Sequence, residues 1–149
     1  MDAASEPGGP ATVTPLRVRY PETDRMGVAY HAHYLVWFEL GRTELMRELG
    51  HPYGELEDDQ GVRFPVVSAA VQYRAAARYD ERLEVRTRLV EVGAARVRFD
   101  YELVRAEDRR LLASGFTEHA SVGREGRPRR LPGELRRRLV ARLAGTGTP

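Results

Sequence analysis

The sequence contains no cysteine. That absence excludes disulfides, a thiol nucleophile and any metal site built on thiolate ligands. Long apolar runs are missing too. Nothing approaches the roughly 18 residues that a membrane-crossing helix needs, so no membrane span is expected. The first ten residues, MDAASEPGGP, offer Ser, Glu, Pro and Gly where a secretory leader would carry a basic patch and an apolar stretch. A cytoplasmic location is the expectation that follows. Nor is there a large surplus of one charge. The 24 basic and 22 acidic side chains leave a net charge of +2. The pI is nevertheless about 9.2, with arginine carrying the base. A balance of this kind suits nucleic acid or any small polyanion and selects neither.

What is present suits one globular domain: 149 residues, 42% apolar and 31% charged, can bury a core without cross-links. Residues 1–15 are small, polar and interrupted by Pro and Gly, and read as a loose arm. Leu16 to Tyr20 alternates apolar and basic residues, which predicts a short strand before Pro21. The stretch PETDRMG that follows is turn-forming. From about His31 to Leu49 the period is helical: Tyr34, Phe38, Gly41, Leu45 and Leu49 share one face. Trp37 and Leu40 widen the apolar side, so a largely buried helix is expected. Gly41 inside it costs about 1 kcal/mol against alanine, which predicts close approach by another backbone. Gly50 and Pro52 end the helix, and one further helical turn is expected within residues 52–59.

After Gly61 the period becomes two. Val67, Ala69, Val71 and Tyr73 share a strand face; Leu83, Val85, Thr87 and Leu89 share another. Val97, Phe99, Tyr101 and Leu103 form a third, opposite Arg96, Arg98, Asp100 and Glu102. Leu112, Ser114, Phe116, Glu118 and Ala120 alternate with Ala113, Gly115, Thr117 and His119. Turns at Gly93-Ala94-Ala95 and Glu107-Asp108-Arg109 imply antiparallel hairpins. Arg124 to Arg130 is a basic loop, and Pro132 to Leu143 a polar terminal helix. One apolar helix among antiparallel strands needs a sheet curved around it, an α+β arrangement.

The segment Tyr20-Pro21-Glu22-Thr23-Asp24-Arg25-Met26-Gly27-Val28-Ala29-Tyr30-His31-Ala32-His33-Tyr34 resembles the signature of the YbgC-like branch of the hydroxybenzoyl-CoA thioesterase family. The shared pattern is an acid-Thr-Asp, two residues, Gly-Val, one residue, Tyr-His and a further Tyr. Trp37-Phe38-Glu39 and Arg42-Thr43-Glu44 continue it. Tyr73-Arg74 and Tyr79-Asp80-Glu81-Arg82-Leu83 resemble the family's second strand and the turn after it. The likeness runs from Arg17 to Val122, with Ala76 or Ala77 standing where the family often has proline. It implies a hotdog fold over residues 16–123, a curved five-stranded antiparallel sheet around a long central helix, with residues 124–149 appended as loop and helix. It also implies homodimers, often dimers of dimers, with active sites at the dimer interface. The activity it implies is hydrolysis of an acyl-CoA or acyl-carrier-protein thioester, without a cofactor beyond the coenzyme A of the substrate.

Thioester hydrolysis needs an activated water or a protein nucleophile, and a stabilised oxyanion. A carboxylate can supply the first as general base or as nucleophile, and Asp24 is the candidate for either role. The unpartnered N–H groups of a helix start can supply the second, and the resemblance assigns this to the backbone N–H of His31. Gly27 lets the chain turn tightly between them. No Gly-x-Ser-x-Gly elbow occurs, so a serine-hydrolase mechanism has no support. The His31 side chain reads as an acid/base, a substrate contact or a polar group near a helix start.

Tyr20, Gly27, Tyr30 and Tyr34 are candidate substrate contacts, although Tyr20 reads equally as packing and the helical spacing of Tyr34 favours the core. Arg74 and Arg96, with Arg98 and Arg124, are candidates for the CoA phosphates, because guanidinium groups suit phosphate oxygens. His31 and His33 stand two apart and point different ways on a helix, and His51 and His119 add no ligand spacing. No metal is therefore expected. Arg-Pro-Arg-Arg at 127–130 and Arg136-Arg137-Arg138 resemble a nucleic-acid footprint but read as a solvated face, so no nucleic-acid partner is expected. Competing readings are a hotdog hydratase, which needs a histidine with an acidic partner, and a non-catalytic hotdog module that binds an acyl thioester or a protein.

Overall fold

The computed structural model describes residues 8–145. The chain runs through β1 (Thr12–Arg17), a 3₁₀ turn (Tyr20–Glu22), α1 (His33–Glu48) and the short α2 (Tyr53–Glu55), which a π-turn (Leu56–Gln60) continues. Then follow β2 (Val66–Tyr73), β3 (Arg82–Val92), β4 (Arg96–Arg105), β5 (Leu111–Ala120) and α3 (Gly133–Leu143). The strand order is β1-β3-β4-β5-β2, and every pairing is antiparallel. The chain leaves β1 at one edge, crosses in α1 and re-enters as β2 at the other edge. The sheet thus curves around α1, which is the hotdog arrangement.

The period-two faces of β3 and β4 point where the sequence placed them, whereas the face of Val67, Ala69 and Tyr73 on β2 is exposed. Leu83, Val85, Thr87 and Leu89 of β3 and Val97, Phe99, Tyr101 and Leu103 of β4 are buried, against Trp37, Phe38 and Leu45 of α1. The rings of Phe38 and Tyr101 stack 4.4 Å apart and nearly parallel. Full burial of side chains of this size contributes about 1.5–3 kcal/mol each. Gly41 faces β3, where an added methyl would collide with Thr87 Oγ1 and lie 2.7 Å from Val85 Cγ1. The close approach predicted for Gly41 is therefore to strand side chains, not to a backbone. Gly115 of β5 answers the same need from the other side: a methyl there would stand 2.8 Å from Phe38 Cε2.

Several expectations are corrected. The first strand occupies Thr12–Arg17 instead of Leu16–Tyr20, so residues 12–15 belong to the sheet and not to a loose arm. Pro15 suggested a loop, but β1 is an edge strand, where a missing N–H is tolerated. Residues 1–7 of the predicted arm lie outside the described residues. α1 begins at His33, two residues later than expected, and it is not largely buried: Leu35, Val36 and Leu40 are exposed. On β5 the inward side chains after Ala113 are Gly115, Thr117 and His119, a small and polar set. Leu135 and Leu139 of α3 join the main core, so the terminal helix is structural. Among the described residues no helix is long and apolar enough to cross a membrane.

Candidate active site

The segment between the 3₁₀ turn and α1 folds back on itself. Thr23 bridges to Ala29, the Asp24 N–H donates to the Val28 carbonyl at 2.9 Å, and the Gly27 N–H to the Asp24 carbonyl at 3.0 Å. Gly27 adopts φ +79°, the left-handed conformation that a tight reversal requires. The result is a miniature hairpin with Asp24 in its first arm. Asp24 is half-buried, and its Oδ1 accepts the Met26 N–H at 2.8 Å. One carboxylate oxygen thus shapes the turn that carries it.

Two contacts pin the hairpin to the body of the protein. Val28 bridges to Arg78, and the Ala29 N–H donates to the Ala77 carbonyl at 2.8 Å. The chain then enters α1 through Tyr30, His31 and Ala32. The His33 N–H donates to the Tyr30 carbonyl and that of Tyr34 to the His31 carbonyl. Ala32 provides no side-chain cap. Among the described residues, the N–H groups of His31 and Ala32 have no hydrogen-bond acceptor. The His31 carbonyl also accepts the Tyr73 hydroxyl at 2.9 Å, which ties the end of β2 to the approach to the helix. A short reach of chain therefore offers a carboxylate, a sharp glycine turn and two uncommitted N–H donors.

The other predicted contacts are spread more widely. Tyr30 and His31 are exposed, with ring centroids 4.3 Å apart. Tyr20 is 73% exposed and stands edge-on to Tyr79. Tyr34 is only 3% exposed; its hydroxyl accepts the Ala77 N–H at 3.4 Å, and burial pushes that hydroxyl's pKa above its ordinary value. It is a core residue that braces the hairpin's footing, and its place among the substrate contacts gives way to packing.

Arg74 and Arg96 are not brought together. Arg74 follows β2 and bonds Gln72 Oε1 and Ser114 Oγ. Arg96 opens β4 opposite Ala120, where it pairs with Glu118 at 3.4 Å. Along β5, Ala113 to Ala120 corresponds to about 23 Å at the usual strand rise. Only Arg74 lies at the hairpin's end of the sheet. The arginines of the C-terminal segment are partly structural: Arg124 and Arg129 donate to the Asp58 and Gln60 carbonyls, and Arg138 to that of Leu49. Among the described residues no group of three or more potential ligands could hold a metal ion.

Glu22 is the site neighbour that sequence reasoning passed over as one acid of a turn. It is 5% exposed, and Trp37 Nε1 donates to its Oε2 at 3.0 Å. Burial raises its pKa, but the bonds from the Arg19 N–H and Trp37 and the charge of Arg19 outweigh that and hold it below the ordinary carboxylate value. The one available signal was the pairing of an acid before Thr-Asp with the only tryptophan of the chain.

The sequence pattern of the thioesterase-like superfamily matches residues 18–139. The acyl-CoA thioesterase YbgC of Haemophilus influenzae is 42% identical over 91 residues, 61% of this chain and 67% of that protein. YneP of Bacillus subtilis is 40% identical over 88 residues, 59% of this chain and 63% of that protein, so the match spans less than two thirds of its length. A crystal structure of a hypothetical protein from Thermus thermophilus superimposes with a TM-score of 0.83 at 40% identity, covering 88% of this chain and 98% of that one.

Proposed function

The chain belongs to the thioesterase-like superfamily, and we propose that it hydrolyses an acyl-CoA thioester, or the corresponding acyl-carrier-protein thioester, to the free acid and the thiol. What supports this is that the one stretch leading into α1 carries both the Asp24 carboxylate, on its pinned hairpin, and the unspent N–H groups of His31 and Ala32.

The thioester carbonyl oxygen accepts the His31 N–H. Asp24 either removes a proton from water as it attacks the carbonyl carbon, or attacks that carbon itself to give a mixed anhydride that water then cleaves. In both routes the carbonyl oxygen gains negative charge, the carbon–sulfur bond breaks and the thiolate leaves to take up a proton. A single well-placed oxyanion donor contributes about 3–4 kcal/mol in the transition state. Tyr20, Gly27 and Tyr30 border the approach, and Arg74 is the phosphate candidate at the same end of the molecule. This reading invokes no cofactor, and coenzyme A enters as part of the substrate.

The assembly we propose is a homodimer paired through β2, in keeping with the family. β2 is an edge strand, exposed along most of its length, with Val66, Val67 and Tyr73 open and Met26 and Tyr30 exposed beside the hairpin. An uncovered apolar edge of this kind is a template for another strand.

The test is turnover of short aliphatic, long aliphatic and aromatic acyl-CoAs with free thiol as readout, on the wild type and Asp24→Asn. The substitution is expected to lower kcat on the best substrate by at least about a hundredfold. Near-normal turnover would refute the assignment of Asp24. Absence of thiol release from the whole panel by the wild type would refute the activity.

A further inference from the structure

We infer that Glu22 is a positioning residue that holds Asp24 at the start of α1 through a buried bond to Trp37; this rests on the catalytic reading of Asp24. Glu22 is bonded at every polar atom. Its N–H donates to the Arg19 carbonyl at 2.9 Å, and its carbonyl accepts the Tyr30 N–H at 2.8 Å, which closes the base of the hairpin. Oε1 accepts the Arg19 N–H at 2.7 Å, while Oε2 accepts Trp37 Nε1–H at 3.0 Å with Arg19 Nη2 at 3.5 Å. Trp37 is 1% exposed and lies one turn into α1, with its ring against Tyr34. The carboxylate is thus a rivet between two parts that the chemistry needs in register. One part is the hairpin bearing Asp24; the other is the helix whose approach offers the N–H donors.

The chemical type of the side chain matters. A buried carboxylate is tolerated only when its oxygens are satisfied, and here two N–H donors reach two separate oxygens. Glutamine keeps one acceptor and turns an N–H₂ toward the other donor. Alanine removes both acceptors and leaves the indole N–H of Trp37 unpaired. Displacement of a reacting group by about 1 Å can slow a reaction by up to a hundredfold, so loosening the hairpin acts on turnover more than on binding.

The experiment is steady-state kinetics of Glu22→Ala, Glu22→Gln and Trp37→Phe, each alone and combined with Asp24→Asn, well below the melting temperature of every variant. Glu22→Ala is expected to lower kcat by about tenfold or more with KM within about threefold, and Glu22→Gln to lower kcat by more than about threefold. On the Asp24→Asn background the same substitutions change kcat by less than about twofold, because their effect passes through Asp24. Unchanged kcat in Glu22→Ala overturns the inference, and so does an equal loss in both backgrounds, the mark of a generally weakened fold. Should Glu22→Ala fail to fold, Trp37→Phe carries the test, since it removes the donor and keeps a ring; its loss must likewise vanish on the Asp24→Asn background. An active Asp24→Asn overturns the catalytic reading and this inference with it. An inactive Asp24→Asn beside a fully active Glu22→Ala overturns the inference alone.

Discussion

His119 faces inward from β5, fully enclosed, with Nδ1 3.0 Å from the Phe64 carbonyl and Nε2 2.8 Å from Thr117 Oγ1. The carbonyl can only accept, so Nδ1 carries the proton and Nε2 accepts from Thr117. Thr117 in turn accepts the Tyr101 hydroxyl at 2.6 Å. Burial, aided by the charge of Arg42 and opposed by the Phe64 bond, lowers the His119 pKa to about 4 from the ordinary 6.5. Below pH 6.5 the unfolded chain takes up a proton that the folded chain refuses. The contribution is therefore whole above that pH and is lost as pH falls toward 4, by on the order of 3 kcal/mol in total. Thermal melts between pH 7.5 and 4.5 should show a shallower acid decline for His119→Asn than for the wild type. Parallel declines would remove His119 as a source of the pH dependence.

Among the elements, α3 does more than close the chain. Arg142 is buried, and its guanidinium reaches Glu48 at the end of α1, Thr12 Oγ1 at the start of β1 and the Pro10 carbonyl. Thr12 Oγ1 itself donates to Glu48 at 2.9 Å. Arg142→Ala takes the guanidinium away from the half-exposed Glu48, Thr12 Oγ1 and the Pro10 carbonyl, and a loss of about 1–3 kcal/mol in urea unfolding is expected. kcat should be unchanged, because this clasp lies at the opposite end of α1 from the hairpin. A variant as stable as the wild type would show that the clasp contributes nothing net.

The strands and the central helix were legible because β3, β4 and α1 bury faces with unmixed periods. β1 was misplaced because Pro15 speaks locally for a loop, whereas its position at a sheet edge is a tertiary fact. The inner face of β5 was not legible, since Thr117 and His119 are polar residues satisfied by one another. The turn that carries Asp24 and leads into α1 was legible through the motif around it. Glu22 stands in the same motif as its leading acid, but its burial and its bond to Trp37 were not legible, because neither follows from residue type and spacing. The place of Arg96, opposite Ala120 and away from the hairpin, was not legible either, because a strand end does not reveal at which pole of the sheet it falls.

At the scale of the whole molecule, the uncovered β2 edge is the seam of the proposed dimer. Val67 is 56% exposed there. Lysine at an edge position discourages strand pairing. If β2 pairs two copies as proposed, Val67→Lys should sediment as a monomer at micromolar concentration with its circular dichroism retained, and its kcat/KM should fall if the proposed site is shared between subunits. A dimeric variant would remove β2 as the seam, and a fully active monomer would place the site within one subunit.

The 16 residues of α1 span about 24 Å, with the hairpin beyond one end and the Arg142 clasp at the other. Pro10 and Arg142 meet at the far pole, where the Gly9 N–H also bonds the Leu89 carbonyl. A dye, affinity tether or solid support joined beyond either residue is therefore anchored a helix length from Asp24. Two groups attached beyond Pro10 and Arg142 at once would crowd each other before they crowded the hairpin.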